Sequence, residues 1–180
     1  MAGRVLLIHG FEGSNKKGWL SWLSDELRTM GYTVMDDDLP DPDHPNFERD
    51  MAFLKNQIRY FDAGDTVLGF SLGGFYASKL VEEKPLGRLI LVAPAIAAID
   101  TEYLRSIWPE SDVDALENVF AHDVDIDNLQ VDEQIVLLSK DDPFVPFKIK
   151  VLFNDYWDII VYENMGHFSM KQFPDLLGYF

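Results

Sequence analysis

Serine, histidine and aspartate stand in this chain in an arrangement suited to nucleophilic acyl transfer. Gly69-Phe70-Ser71-Leu72-Gly73 reads G-x-S-x-G, directly after an apolar run and directly before a helical pattern. That context turns a glycine-rich turn into a sharp strand-to-helix elbow, with the serine hydroxyl thrust out of the sheet. Gly69 and Gly73 flank it because a Cβ at either would strike a neighbouring strand or helix. The helix start behind Ser71 also puts a backbone N–H and a positive dipole end where an oxyanion would form. A serine nucleophile needs a base, and the base needs an acid that fixes its tautomer. Of the 4 histidines, His9 closes the first apolar run, His44 sits in an Asp/Pro loop and His122 lies in an acidic stretch. His167 alone falls on a loop after a strand and beyond both serine and acid in chain order. The acid is expected in Ser139-Lys140-Asp141-Asp142-Pro143, where both aspartates are candidates.

These residues need a scaffold that brings three distant loops to one place. Short apolar runs alternate with helical patterns along the chain. Strands are expected at Arg4–Ile8, Tyr32–Met35, Asp65–Phe70, Arg88–Val92, Glu133–Ser139 and Trp157–Tyr162. Helices are expected at Lys17–Met30, Phe47–Phe61 and Leu72–Glu83, the last stopped by Pro85 and Gly87. One or two more fall between Thr101 and Phe120, a short one at Pro146–Asn154, and a terminal one at Ser169–Tyr179 that Pro174 interrupts. Strands separated by helices imply a parallel sheet covered on both faces by right-handed crossovers. The fold class is therefore α/β, with about six mostly parallel strands. Residues 1–180 are expected to form a single domain without a separate lid domain.

The order Ser71, acid, His167 is that of the α/β-hydrolases. The chain resembles, over nearly its whole length, the small single-domain serine hydrolases of the retinoblastoma-binding protein 9 and YdeN type. Carrying that resemblance are His9-Gly10 with Ser14 and Trp19-Leu20-Ser21-Trp22-Leu23, and Leu39-Pro40-Asp41-Pro42. The Gly69–Gly74 elbow, Asp141-Asp142-Pro143 and Gly166-His167-Phe168 complete it. The resemblance implies a Ser–Asp–His triad and carboxylester hydrolase activity. Asp142 then becomes the acid, since two residues and Val145-Pro146 follow it as in the hydrolase acid loop. Asp141 is the fallback acid, or otherwise a solvated neighbour. His9-Gly10-Phe11 resembles the superfamily's oxyanion loop, which makes the N–H groups of Phe11 and Leu72 the donors and His9 a support. Phe70 stands where histidine is common, at a position that usually packs beneath the elbow.

Composition narrows the field further. With 15 Lys+Arg against 31 Asp+Glu, the formal net charge is −16. A nucleic-acid phosphate backbone needs a basic face, so nucleic acid is excluded as a partner, and anionic membranes are disfavoured. The 0 cysteines rule out disulfides, thiolate zinc sites and a cysteine nucleophile. No run reaches the ~18 apolar residues of a membrane span, and a cytoplasmic location is expected. The acidic runs Asp36–Asp43 and Asp123–Asn128 lack the glycine and glutamate of a calcium loop and read as polar connections. No metal or cofactor is expected.

The substrate pocket is sought in the connection after the fourth strand. A helix from Thr101, capped by Asp100, would align Leu104, Ile107 and Trp108. The apolar connection also carries Ile96 and Ile99, and its part near Ile96 and Trp108 is expected to overhang Ser71 and wall a shallow acyl site. Glu12 lies beside the oxyanion position, where it either points away or selects cationic substrates. The expected substrate is a small-molecule ester. The alternative is a protein-interaction module with a vestigial site.

Overall fold

Apolar runs too short for helices become the strands. The computed structural model describes residues 3–96 and 101–180. Its strands are β1 (Arg4–Ile8), β2 (Thr33–Met35), β3 (Thr66–Phe70), β4 (Leu86–Val92), β5 (Val131–Ser139) and β6 (Asp158–Tyr162). Its α-helices are α1 (Gly18–Thr29), α2 (Phe47–Gln57), α3 (Leu72–Glu83), α4 (Thr101–Ile107) and α5 (Glu110–Phe120). The strands form one sheet in the order β2-β1-β3-β4-β5-β6, and every pairing is parallel. The central strands read as unbroken apolar runs because helices cover both faces. Val5 to Ile8, Val67, Leu68 and Leu89 to Val92 are all buried.

The register sets the site. Ile8 lies opposite Gly69, and Phe70 opposite Val92, so β1, β3 and β4 finish nearly level. The chain leaves β1 toward β2 and returns to β3 on its other side. Ligands of open α/β sheets bind at such a switch point, beyond the carboxyl ends of the strands. The loops after β1, β3, β5 and β6 all open at that end.

Helix placement follows equally local rules. Asn46 caps α2 through Arg49 N–H at 3.0 Å. Fully buried Asp50 accepts from the Tyr76 hydroxyl and from Asn46 N–H, both at 2.9 Å, which ties α2 to α3. On the exposed side, Arg105 bonds Asp114 at 2.9 Å and Glu117 at 2.8 Å, clamping α4 to α5.

Several expectations shift. Ser169–Phe173 is not helical, and only Pro174–Tyr179 winds, as a 3₁₀ turn. Proline disfavours a helical residue before it, and Phe173 instead has φ −136° and ψ 74° while its ring buries against Trp19 and Phe168. The Pro146–Asn154 helix is likewise 3₁₀, over Phe147–Leu152. Gly87 does not stop α3. It lies inside β4, where a Cβ would come within 2.2 Å of the Ala63 carbonyl. The Asp36–Asp43 loop is not simply solvated either. Asp36 bonds Lys16, Arg28 and Ser24, and Asp38 accepts from Ser14 and Asn15, so the loop is pinned to the start of α1 and its face. The proposed cap Asp100, with Ile99, and the side chains of Thr101 and Ile107 lie outside the described residues.

Candidate active site

Ser71 has φ 54° and ψ −119°, a conformation that a residue with a Cβ rarely adopts. Its surroundings hold it there. Its N–H donates to the Val92 carbonyl at 3.0 Å, and its own carbonyl accepts from Gly74 N–H at 2.8 Å and Ala95 N–H at 3.0 Å. The flanking glycines make the turn possible. A Cβ on Gly69 would stand 2.3 Å from Gly73 O, and one on Gly73 would stand 2.1 Å from Ile8 O. Strain of this kind is worth about 1–3 kcal/mol and persists only where the surroundings over-determine it.

The loops after β5 and β6 meet opposite the elbow. His167 Nδ1 lies 2.8 Å from Asp142 Oδ2 and 3.0 Å from Oδ1. The Asp142 side chain is 1% exposed, and its Oδ1 also accepts the N–H groups of Phe144 and Val145, both at 2.9 Å. A carboxylate so placed accepts the Nδ1 proton, which leaves Nε2 as the basic edge of the ring. The imidazole is 14% exposed and is wedged between Phe70, at 5.0 Å, and Phe144, at 5.1 Å.

Asp141 is exposed, as expected of a solvated neighbour, and it also holds the histidine loop. Its Oδ1 accepts from the Ser139 hydroxyl at 2.6 Å and from Gly166 N–H at 2.8 Å. Ser139 Oγ in turn accepts Met165 N–H at 2.9 Å. These bonds, the one from Ser139 foremost, hold the Asp141 carboxyl below its usual range. The backbone of the His167 loop is therefore tied to the same segment that bonds the ring.

The loop after β1 completes the site. His9 is 1% exposed. Its Nε2 accepts Leu39 N–H at 3.0 Å, so its Nδ1–H donates to Gly10 O at 2.7 Å. Burial lowers its pKa and keeps it neutral. It is a strut between two loops. A Cβ on Gly10 would come 2.9 Å from Ser71 Cβ, so the loop passes directly over the serine. Leu72, as first residue of α3, has no intrahelical acceptor for its N–H. Among the described residues neither Leu72 N–H nor Phe11 N–H is committed to a protein acceptor.

Ser71, Leu72 and His167 face a cavity of about 160 Å³, walled by Phe11, Leu104, Trp108 and Phe144. Trp108 in that wall packs on Phe11 and Phe144. Two other expected lining residues stand elsewhere. Ile96 is 8% exposed and turned into the core, and its neighbour Ala95 lines the cavity instead. Glu12 is exposed, outside the lining, on a backbone with φ 50° whose N–H is bound to Pro42 O. Phe70 is more than packing beneath the elbow, since its ring sits between His167 and Trp19. Phe144 was not anticipated. Its position inside the turn that Asp142 caps was the available signal.

A parallel sheet with a strained Ser71 elbow at its switch point is the α/β-hydrolase arrangement. The serine hydrolase family model matches residues 5–173, and the chain belongs to that family. It is a hydrolase. Over 174 residues it is 25% identical to the YdeN protein of Bacillus subtilis, covering 93% of this chain and 87% of that one. The crystal structure of the B. subtilis ydeN product superposes with a TM-score of 0.80 at 22% identity, covering 98% of this chain and 97% of that one. An esterase of Exiguobacterium antarcticum superposes at 0.70 with 17% identity, covering 98% and 91%. Among the described residues no helix is long and apolar enough to cross a membrane.

Proposed function

We propose that this hydrolase cleaves small carboxylic esters through an acyl-enzyme on Ser71. His167 Nε2 takes the hydroxyl proton as Ser71 Oγ attacks the carbonyl carbon. The same nitrogen then protonates the leaving alcohol. Asp142 holds the ring by Nδ1 and stabilises the imidazolium that forms. The N–H groups of Phe11 and Leu72 receive the oxyanion, where losing one donor typically costs about 2.7–4 kcal/mol. Water, activated by His167, then releases the acid. The observation that carries this reading is the Nδ1 contact at 2.8 Å to a buried carboxylate, with Ser71 on the wall of the same cavity. A panel of esters and thioesters on wild type and Ser71→Ala tests it. Equal hydrolysis by the two proteins sinks it.

The interaction-module reading predicts an inert serine. A buried acid bonded to His167 has no purpose there, and rapid labelling of Ser71 by a fluorophosphonate would dismiss it.

A further inference from the structure

A second cavity borders the reaction centre, and neither the triad nor the acyl pocket uses it. It measures about 240 Å³ and shares Phe11 with the first. Its walls include Gly10, Trp19, Phe70, Phe168 and Met170. Gly10 places it beside the nucleophile, since a Cβ there would lie 3.4 Å from Ser71 Oγ. Phe70 and Phe168 place it beside the base, the first through its ring contact with His167 and the second as the next residue in sequence.

An ester bound for attack has its carbonyl oxygen in the oxyanion hole, so its two remaining arms must diverge from Ser71. The acyl arm stays through both half-reactions, whereas the alcohol departs after the first. Among the described residues the smaller cavity has no exposed residue on its wall. The larger one is rimmed by exposed Lys17, Gly18 and Ser169 and opens to solvent. We propose that the second cavity is the leaving-group site and that it selects esters of apolar, ring-sized alcohols. This rests on the acyl-transfer reading of Ser71. During acylation the Ser71 Oγ–carbonyl carbon bond forms and the bond from carbon to the alcohol oxygen breaks. The serine proton passes through His167 to that oxygen, and the neutral alcohol leaves by the open rim. Half-buried Phe11, Phe70 and Met170 give the cavity the apolar and aromatic surface on which a ring packs, over buried Trp19 and Phe168.

Phenyl acetate and 2-naphthyl acetate have leaving groups of similar acidity and form the same acetyl-enzyme, so their kcat/KM values differ only through acylation. Wild type should favour the naphthyl ester at least about tenfold, the discrimination expected when a pocket is filled by added apolar atoms. Met170→Trp, or Ser169→Trp at the rim should the first variant fold poorly, should abolish most of that ratio. Trp108→Ala should leave the ratio standing and instead raise phenyl hexanoate relative to phenyl acetate. A wild-type ratio below tenfold overturns the assignment. So does an undiminished ratio in both Trp variants, or a Trp variant that alters the acyl-length profile instead. Ser71→Ala separates the two failures. If it is inactive while the ratio is flat, only the leaving-group site is lost. If it remains active, the acyl-transfer reading falls as well.

Discussion

Asp141 and Asp142 are neighbours in sequence and act on one histidine loop in different ways. Asp142 bonds the His167 ring, and Asp141 bonds the loop backbone at Gly166. Asp142→Asn keeps the size but presents the wrong hydrogen-bond pattern to Nδ1, and kcat should fall by about 10⁴. Asp141→Asn still offers an oxygen to both of its donors and should lose far less; Asp141→Ala should lie between. Steady-state kinetics with circular dichroism as a fold check ranks the three, and the reverse order would make Asp141 the acid. A second residue-scale prediction concerns His9. Its folded pKa is lowered by burial from the ordinary value of about 6.5. Below that value the unfolded chain takes up a proton that the folded one refuses, so stability declines as pH drops through 6.5 and is flat above it. Thermal melts from pH 8 to 5 should show the decline in wild type and a shallower one in His9→Asn. Sequence alone carried the residue types here, because spacing relative to strand ends reveals which loop each occupies. It could not assign Asp141, whose partners Ser139 and Gly166 come together only when β5 and β6 pair.

At the scale of elements, α3, α4 and α5 supply Leu72, Leu104, Leu116 and Phe120 to the wall of the smaller cavity, the acyl site of the proposed reaction. A cavity of about 160 Å³ falls below the roughly 300–1,000 Å³ of ordinary ligand pockets. Short acyl groups should therefore be preferred. Across 4-nitrophenyl esters, kcat/KM should peak at acetate to butanoate, and a steady climb to dodecanoate would show the α4–α5 segment to be core alone. Strand and helix positions were legible because burial on both faces leaves apolar runs and one-sided burial leaves a 3.6-residue period. The C-terminal segment was not, since the aromatic packing of Phe173 and the restriction imposed by Pro174 override its apparent helical pattern. Ile96 was misjudged for a related reason. An apolar residue in a loop does not announce whether it faces a cavity or the core.

For the whole molecule the net charge of −16 becomes a kinetic quantity. A field of one sign gathers counter-charged substrates and repels like-charged ones, and salt screens both effects within about 10 Å at 0.1 M. For esters of matched acyl group, kcat/KM should fall with added salt when the alcohol is cationic and rise when it is anionic. Stopped-flow or steady-state rates between 0.01 and 0.5 M salt test this. Flat profiles for both would mean that the acidic groups are disposed away from the site.

The order β2-β1-β3-β4-β5-β6 has a temporal side. Ser71 arrives with β3, Asp142 after β5 and His167 only after β6 has paired at the sheet's edge. Parallel pairings between distant segments close loops before they are rewarded, and they form slowly. On the proposed mechanism, nearly all the core can therefore assemble before Ser71 gains its proton acceptor. Catalysis is a late clock on folding: after dilution from denaturant, ester turnover should return in step with the slowest phase, behind the recovery of helical ellipticity. On the same reading, a nascent chain stalled before β6 carries Ser71 unarmed.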